Sequence, residues 1–320
     1  MSDSVAQPSA VLPASAAVAP THHPTGHIVQ SLVVNMVIAL SKLVGAVLSG
    51  SGAMLAETLH SCADCGNQAL LLLGVKRATK PPDAAHPLGY GAALYFWSFM
   101  VALLLFVGGG MFSLYEGVHK LQHPEPLHDT KIAMAILMFS IVLEGWSCRN
   151  NIIDLNKGRG TIPFMQYLRQ TKDSDLIVVF GENAAAVLGL LIAAVFMQIA
   201  VVTGDPRYDA IGSLGIGLVL IGVALFLAVE VKSLLMGERA GTEVERAVQQ
   251  AAAGDPKIAQ VLRVITVQKG PNEVLVACKL QLVADLDTAG VVHTINAFET
   301  RLHALCPEVR WSFVEPDDKE

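Results

Sequence analysis

Six apolar stretches, at residues 28–48, 53–75, 94–118, 131–148, 176–202 and 210–231, set the terms on which this chain can fold. Each is near the roughly 20 residues that an α-helix needs to cross the hydrocarbon of a bilayer. Lipid offers no hydrogen-bond partner to a bare peptide group, so such runs are expected to be helical, with the loops kept to the interfaces. Six crossings put both termini on one side. Lys76, Arg77 and Lys80 follow the second stretch, and Arg149, Lys157, Arg159, Arg169 and Lys172 follow the fourth; the opposite loops hold only Lys120, Lys131 and Arg207. The positive-inside bias then places both termini in the cytoplasm, and the expected location is the inner (plasma) membrane of a bacterium.

Composition agrees with a membrane protein: 52% of the 320 residues are hydrophobic, 16% are charged, and the mean hydropathy is +0.50. A net charge of -6 leaves no basic stripe to neutralise phosphates, which excludes nucleic acid as a partner. Residues 1–27 are rich in Ala, Pro and Ser without an early Lys or Arg, and read as a disordered tail. Cys62, Cys65, Cys148, Cys278 and Cys306 lack the dense spacing of a disulfide framework and read as reduced.

From about Gly241 the pattern becomes that of a soluble unit. Glu243–Ala253 reads as a helix, Val261–Val267 and Val274–Leu282 as strands, Thr288–Leu305 as an amphipathic helix and Val309–Val314 as a last strand. The expected fold is therefore membrane all-α, with six transmembrane helices at 28–240 followed by a small cytoplasmic α+β domain, ordered α-β-β-α-β, at 241–320. A sheet covered on one face by helices is a shape often used for subunit contacts.

Ionisable groups inside the hydrocarbon cost a few kcal/mol each and call for a partner or a function. The second stretch carries Glu57, His60 and Asp64, whose spacings of three and four share a helical face. There an imidazole and a carboxylate can converge on one metal ion. The fifth stretch offers Glu182 and Asn183, with Glu182 the natural third ligand. The alternative is that His60 and Asp64 bond to each other or to neighbouring backbone and lock a helix interface. Glu57 reads as structural or gating. Cys62 and Cys65 read first as small packing residues and second as thiolate ligands. Asn35, Lys42, Glu116 and Glu144 could pair among themselves, Lys42 with an acid, and are not assigned as ligands. Gly108-Gly-Gly110 and the glycines at 212, 215, 217 and 222 read as places of close helix approach. No phosphate loop, zinc-protease motif or set of nucleophile, base and orienter is visible, so an enzyme is not expected.

Ser51-Gly-Ala-Met-Leu-Ala-Glu-Thr-Leu-His-Ser-Cys-Ala-Asp64, followed by Gly66-Asn-Gln68, resembles the cation diffusion facilitators, a family of proton-coupled zinc exporters. His86-Pro-Leu-Gly-Tyr-Gly91 with Tyr95-Phe-Trp97 is similar to that family's loop between helices two and three. Tyr115-Glu-Gly117 and Glu144-Gly-Trp-Ser147 resemble its zinc-transporter-9-like branch, and Gly270-Pro-Asn-Glu-Val-Leu-Val276 and Val314-Glu-Pro316 its cytoplasmic domain. The resemblance implies a Y-shaped homodimer in a lipid bilayer that exports a divalent cation, usually Zn²⁺, against H⁺ by alternating access. It implies His60 and Asp64 as ligands. It also marks departures: Val179 and Ala186 stand where a fifth-helix ligand pair is usual, Asn183 replaces an acid, and Ala92-Ala93-Leu94 replace charged residues. Asp83 and His86 resemble members of a second, interfacial metal site, where Tyr90 stands in place of a further His; the alternative is that His86 starts a His-Pro turn. His293 and His303 have no neighbouring ligand cluster.

The mechanism expected is that His60, Asp64 and Glu182 bind the ion facing inward and release it when protons compete for the same groups, histidine being suited to this by its ordinary pKa of about 6.5. Zn²⁺ is the first expectation; Mn²⁺, Fe²⁺, Co²⁺ or Ni²⁺ also suit a mixed N/O set. A membrane metal sensor or scaffold is the competing reading.

Overall fold

The computed structural model describes residues 25–127, 129–171 and 174–319. The expected tail, apart from its last three residues, and Lys172 lie outside them.

Long helices occupy the six apolar stretches. They are α1 (Thr25–Ser49), α2 (Gly52–Ala78), α3 (Ala92–Leu104) continuing through a π-helical turn at Leu105–Met111 into α4 (Phe112–Gln122), α5 (Thr130–Arg159), α7 (Ser174–Thr203) and α8 (Arg207–Leu235). Four of these rods, Ala92–Gln122, Thr130–Ile153, Ile177–Thr203 and Arg207–Leu235, are long and apolar enough to cross a membrane. The apolar part of α1 that can be described, Asn35–Ser49, is shorter, and α2 is interrupted by Glu57, His60, Asp64, Lys76 and Arg77. A short helix, α6 (Phe164–Gln170), interrupts the connection from α5 to α7; the sequence reading had only a basic loop there. The ring of Phe164 meets that of Phe180 edge-on at 5.2 Å, which ties α6 to the bundle.

The bundle is inside out by the standard of a soluble protein. Val33, Val37, Leu40, Val44 and Val47 form an exposed stripe on α1, and Phe139, Val142 and Trp146 another on α5, with Val47 74% and Val142 67% exposed. In contrast Lys42, Glu57, His60, Asp64, Asn67, Glu144, Glu182 and Asp209 are buried. Apolar side chains facing outward and ionisable ones facing inward is the arrangement a bilayer selects. The chain is a multi-pass integral membrane protein.

Close helix approach is concentrated between the π-helical turn and α8. A Cβ on Gly217 would lie 3.0 Å from the Gly110 carbonyl oxygen, and one on Gly110 would lie 3.2 Å from the Ile221 nitrogen. A Cβ at either position would have to displace backbone of the facing helix by a few tenths of an ångström, which glycine avoids. Gly222, grouped with them by sequence, has open space around it.

The C-terminal elements follow the expected order: α9 (Thr242–Ala253), β1 (Ile258–Gly270), β2 (Glu273–Leu282), α10 (Thr288–Leu305) and β3 (Val309–Pro316). β1 and β2 are antiparallel and joined by a turn in which Asn272 takes a φ of 55°, a conformation asparagine tolerates. β3 lies parallel to β2, so the chain must cross over, and α10 is that crossover. Val274, Val276, Cys278 and Leu280 alternate inward from β2 against Val248 of α9 and Phe298 and Leu302 of α10. Burial pushes the thiols of Cys278 and Cys306 up to about 12, which keeps both protonated.

Candidate metal centre

The position of α2 is set at its N-terminus. Ser51 caps it by accepting a hydrogen bond from the Met54 amide at 3.1 Å. Asp209, in the first turn of α8, accepts from the Ser51 hydroxyl at 2.6 Å and from the Gly52 amide at 2.7 Å. A carboxylate there also complements the positive end of the helix dipole. Lys120 donates to the Gly50 carbonyl just before the helix begins. Sequence reading missed Asp209; the available signal was an acid opening one apolar helix opposite a Ser-Gly start of another.

From that anchor α2 carries His60 about 12 Å along its axis and Asp64 one turn further. The His60 Nε2 to Asp64 Oδ2 distance is 3.7 Å, an ion-pair distance rather than a hydrogen bond. Neither ring nitrogen of His60 and not Asp64 Oδ1 has a hydrogen-bond partner, although both residues are buried. The interface lock considered from sequence is thus not made as a hydrogen bond. Glu57 is taken up otherwise: Lys42 of α1 reaches it at 3.2 Å and donates to Ser61 at 2.8 Å. Pairing of Lys42 with an acid is what the sequence suggested.

Glu182 of α7 accepts a hydrogen bond from the Asn67 side-chain amide, which ties α7 to α2 three residues beyond Asp64. Next to this link lies a cavity of about 290 Å³, lined from α1 by Asn35, from α2 by Asp64, Gln68 and Leu71, from α5 by Glu144, Ser147 and Asn151, and from α7 by Val179, Glu182 and Asn183. The structure therefore brings Asp64, Glu182 and Asn183 to one space. His60 is not one of its lining residues and stands beside Asp64 on the turn before it. Among the described residues, no three His, Cys, Asp or Glu side chains form a ready-made metal cluster. Glu144, Ser147 and Asn151 were not singled out together by sequence. Their spacing of three and four, running out of the end of an apolar stretch, was the signal, one helical face of polar residues. Cys62 is exposed and Cys65 buried, and all five cysteines are unpaired.

The loop pair also comes together, as a turn. Asp83 Oδ1 accepts from the amides of Ala85 at 2.9 Å and His86 at 2.7 Å, and its Oδ2 accepts from the Tyr90 hydroxyl at 2.6 Å. The His86 ring packs on that of Tyr90 with centroids 4.1 Å apart, and its Nδ1 is 3.6 Å from Asp83. The Tyr90 hydroxyl and the two amides hold the Asp83 carboxyl below the usual carboxylate range, and the same bond raises Tyr90. His303 is held by the Val309 carbonyl at 2.7 Å.

A family model for the cation efflux transmembrane domain matches residues 28–236. The mitochondrial proton-coupled zinc antiporter SLC30A9 of Xenopus laevis is 33% identical over 275 residues, covering 85% of this chain and 48% of that protein. The Homo sapiens protein of the same name is 30% identical over 271 residues, 84% of this chain and 47% of its own length. Metal tolerance protein C4 of Arabidopsis thaliana is 35% identical over 191 residues, 59% of this chain and 42% of its own length. The chain spans about half the length of the curated relatives it matches.

Proposed function

Because the chain belongs to the cation efflux family, we propose that it exports a divalent metal cation, Zn²⁺ first, in exchange for H⁺ by alternating access. The cavity carries this reading: two carboxylates from α2 and α7, Asp64 and Glu182, with Asn183 beside them, meet in a space inside the bundle. A cation is what compensates acids placed there. Zinc and the proton gradient are supported by the printed names of the antiporter relatives. His60, now beside Asp64 and outside the cavity lining, joins the ligand set by turning its free ring nitrogens toward the cavity. Mn²⁺, Fe²⁺, Co²⁺ or Ni²⁺ is the second reading, favoured by one observation: carboxylates and amides line the cavity, without an imidazole.

In this reading α1 and α2 complete six crossings, 28–240 is the transport domain, and the basic loops after α2 and α5 put both termini and residues 241–320 in the cytoplasm. The membrane is a bacterial plasma membrane; the relatives' printed location is mitochondrial, and fractionation of the source cells separates the two. The C-terminal domain holds two copies together. Its support is a row on the open face of the sheet, Ile265, Ala277 and Phe313, paired across three strands, with Ile265 and Phe313 exposed.

Proteoliposomes containing a zinc reporter test the function. A pH gradient should drive Zn²⁺ flux by the wild type, and His60→Ala and Asp64→Ala should each lower it at least about tenfold. Flux retained in full by both variants would remove these ligands from the site. A folded wild type that moves none of the five metals would point to a membrane sensor or scaffold.

A further inference from the structure

Three carboxylates, not two, face the cavity. Glu144 sits midway along α5, inside the span Thr130–Ile153, and is only 7% exposed. Unlike the other buried acids it has no hydrogen bond or ion pair to a described residue. Glu57 has Lys42, Glu182 has Asn67, and Asp209 has the start of α2. Lys42, the cation within electrostatic reach of Glu144, is held by Glu57 and Ser61. An acid kept in mid-membrane without a counter-charge is costly unless something else supplies one.

A second observation points to what supplies it. Asp64 lines the same cavity, has nine-tenths of its side chain buried, and leaves Oδ1 without a hydrogen-bond partner. Four amides, Asn35, Gln68, Asn151 and Asn183, share the lining. Carboxylate and amide oxygens converging on one space suit a divalent cation held on oxygen, bare or with part of its water.

We infer that Glu144 is a cargo-binding residue, and that the carboxylates of Asp64, Glu144 and Glu182, which line one cavity without forming a ready-made cluster, close on a divalent cation there. The ion then bridges α5 to α2 and α7, so cargo occupancy is felt by three helices from different parts of the chain. Asn183, which faces the same space without charge, is the position where an added acid can stand in for Glu144. This deepens the transport reading and rests on it for the word cargo, but binding is measured without flux.

The test uses the full-length protein in detergent, titrated with Zn²⁺ and with Mn²⁺ by calorimetry, alongside the vesicle assay. Glu144→Gln, nearly the same shape without the charge, should weaken binding of both ions at least about tenfold. The double variant E144Q/N183D should recover binding, which a merely structural role of Glu144 would not allow. Binding by E144Q equal to wild type, or a loss that E144Q/N183D does not recover, overturns the proposal. If E144Q fails to fold, Glu144→Asp decides: a carboxylate drawn back by one methylene should weaken binding of both ions, and unchanged affinity overturns the assignment. Wild type that binds the ions but moves neither sinks the transport reading and leaves the Glu144 result standing.

Discussion

Asp64 and Asp83 show how one side-chain type is put to different uses by what surrounds it. Asp83 is in water and its oxygens are already committed, to Tyr90 and to the amides of Ala85 and His86. Asp64 is buried and keeps an oxygen without a hydrogen bond. Burying a polar atom unbonded costs free energy, so Asp64 Oδ1 is open to a ligand in the reading proposed above, whereas the satisfied oxygens of Asp83 serve a turn. The sign of the pH effect at Asp83 follows from its lowered value. The turn's contribution is present above the ordinary carboxylate range and is lost as pH falls through the lower, folded-state value. Tyr90→Phe removes the largest cause. Carboxyl NMR should then show Asp83 titrating at a higher pH than in the wild type; an unchanged titration would mean that the backbone amides alone hold it.

At the scale of elements, the joint between α2 and α8 sets the position of His60 and Asp64. Asp209 holds the first residues of α2, and both proposed ligands on α2 are counted from that start. Asp209→Ala would leave a buried hydroxyl and a buried amide unsatisfied and remove the charge that complements the helix end. The expected loss is about 2–4 kcal/mol, read as a lowered thermal unfolding midpoint in detergent. Metal affinity should fall with it, because α2 loses its fixed register. An unchanged midpoint would show that the Gly110–Gly217 crossing and the rest of the packing position α2 without this contact.

For the whole molecule, the bundle and the sheet each have a face without a partner in a single chain. The outward Val, Leu and Phe of the bundle are covered by lipid. On the sheet, Ile265 and Phe313 remain exposed beside Ala277 because α9 and α10 cover only the other side. If two copies meet there, Phe313→Asp places charge in the contact and should shift the purified protein from dimer to monomer in light scattering. Retention of the dimer would move the interface to the membrane helices. The domain core faces away from Phe313, so the thermal stability of the monomer should change little.

By itself the sequence determined the long helices, their polarity and the order of the C-terminal elements, because apolar runs of this length and strands alternating every second residue admit few other solutions. It also picked out His60, Asp64 and Glu182, since ionisable residues are conspicuous in apolar surroundings. α6 was hidden in a polar connection, where no periodicity announces a helix of seven residues anchored by Leu168 and the Phe164 ring. Which polar residues share a space was decided only by packing. Glu144, Ser147 and Asn151 join Asp64 and Glu182 because α5 lies against α7 and α1, and His60 stands outside that space because α2 turns it toward Asp64 instead. A residue's neighbours along one helix follow from its spacing; its neighbours across helices follow from crossings such as Gly110 against Gly217, which no spacing records.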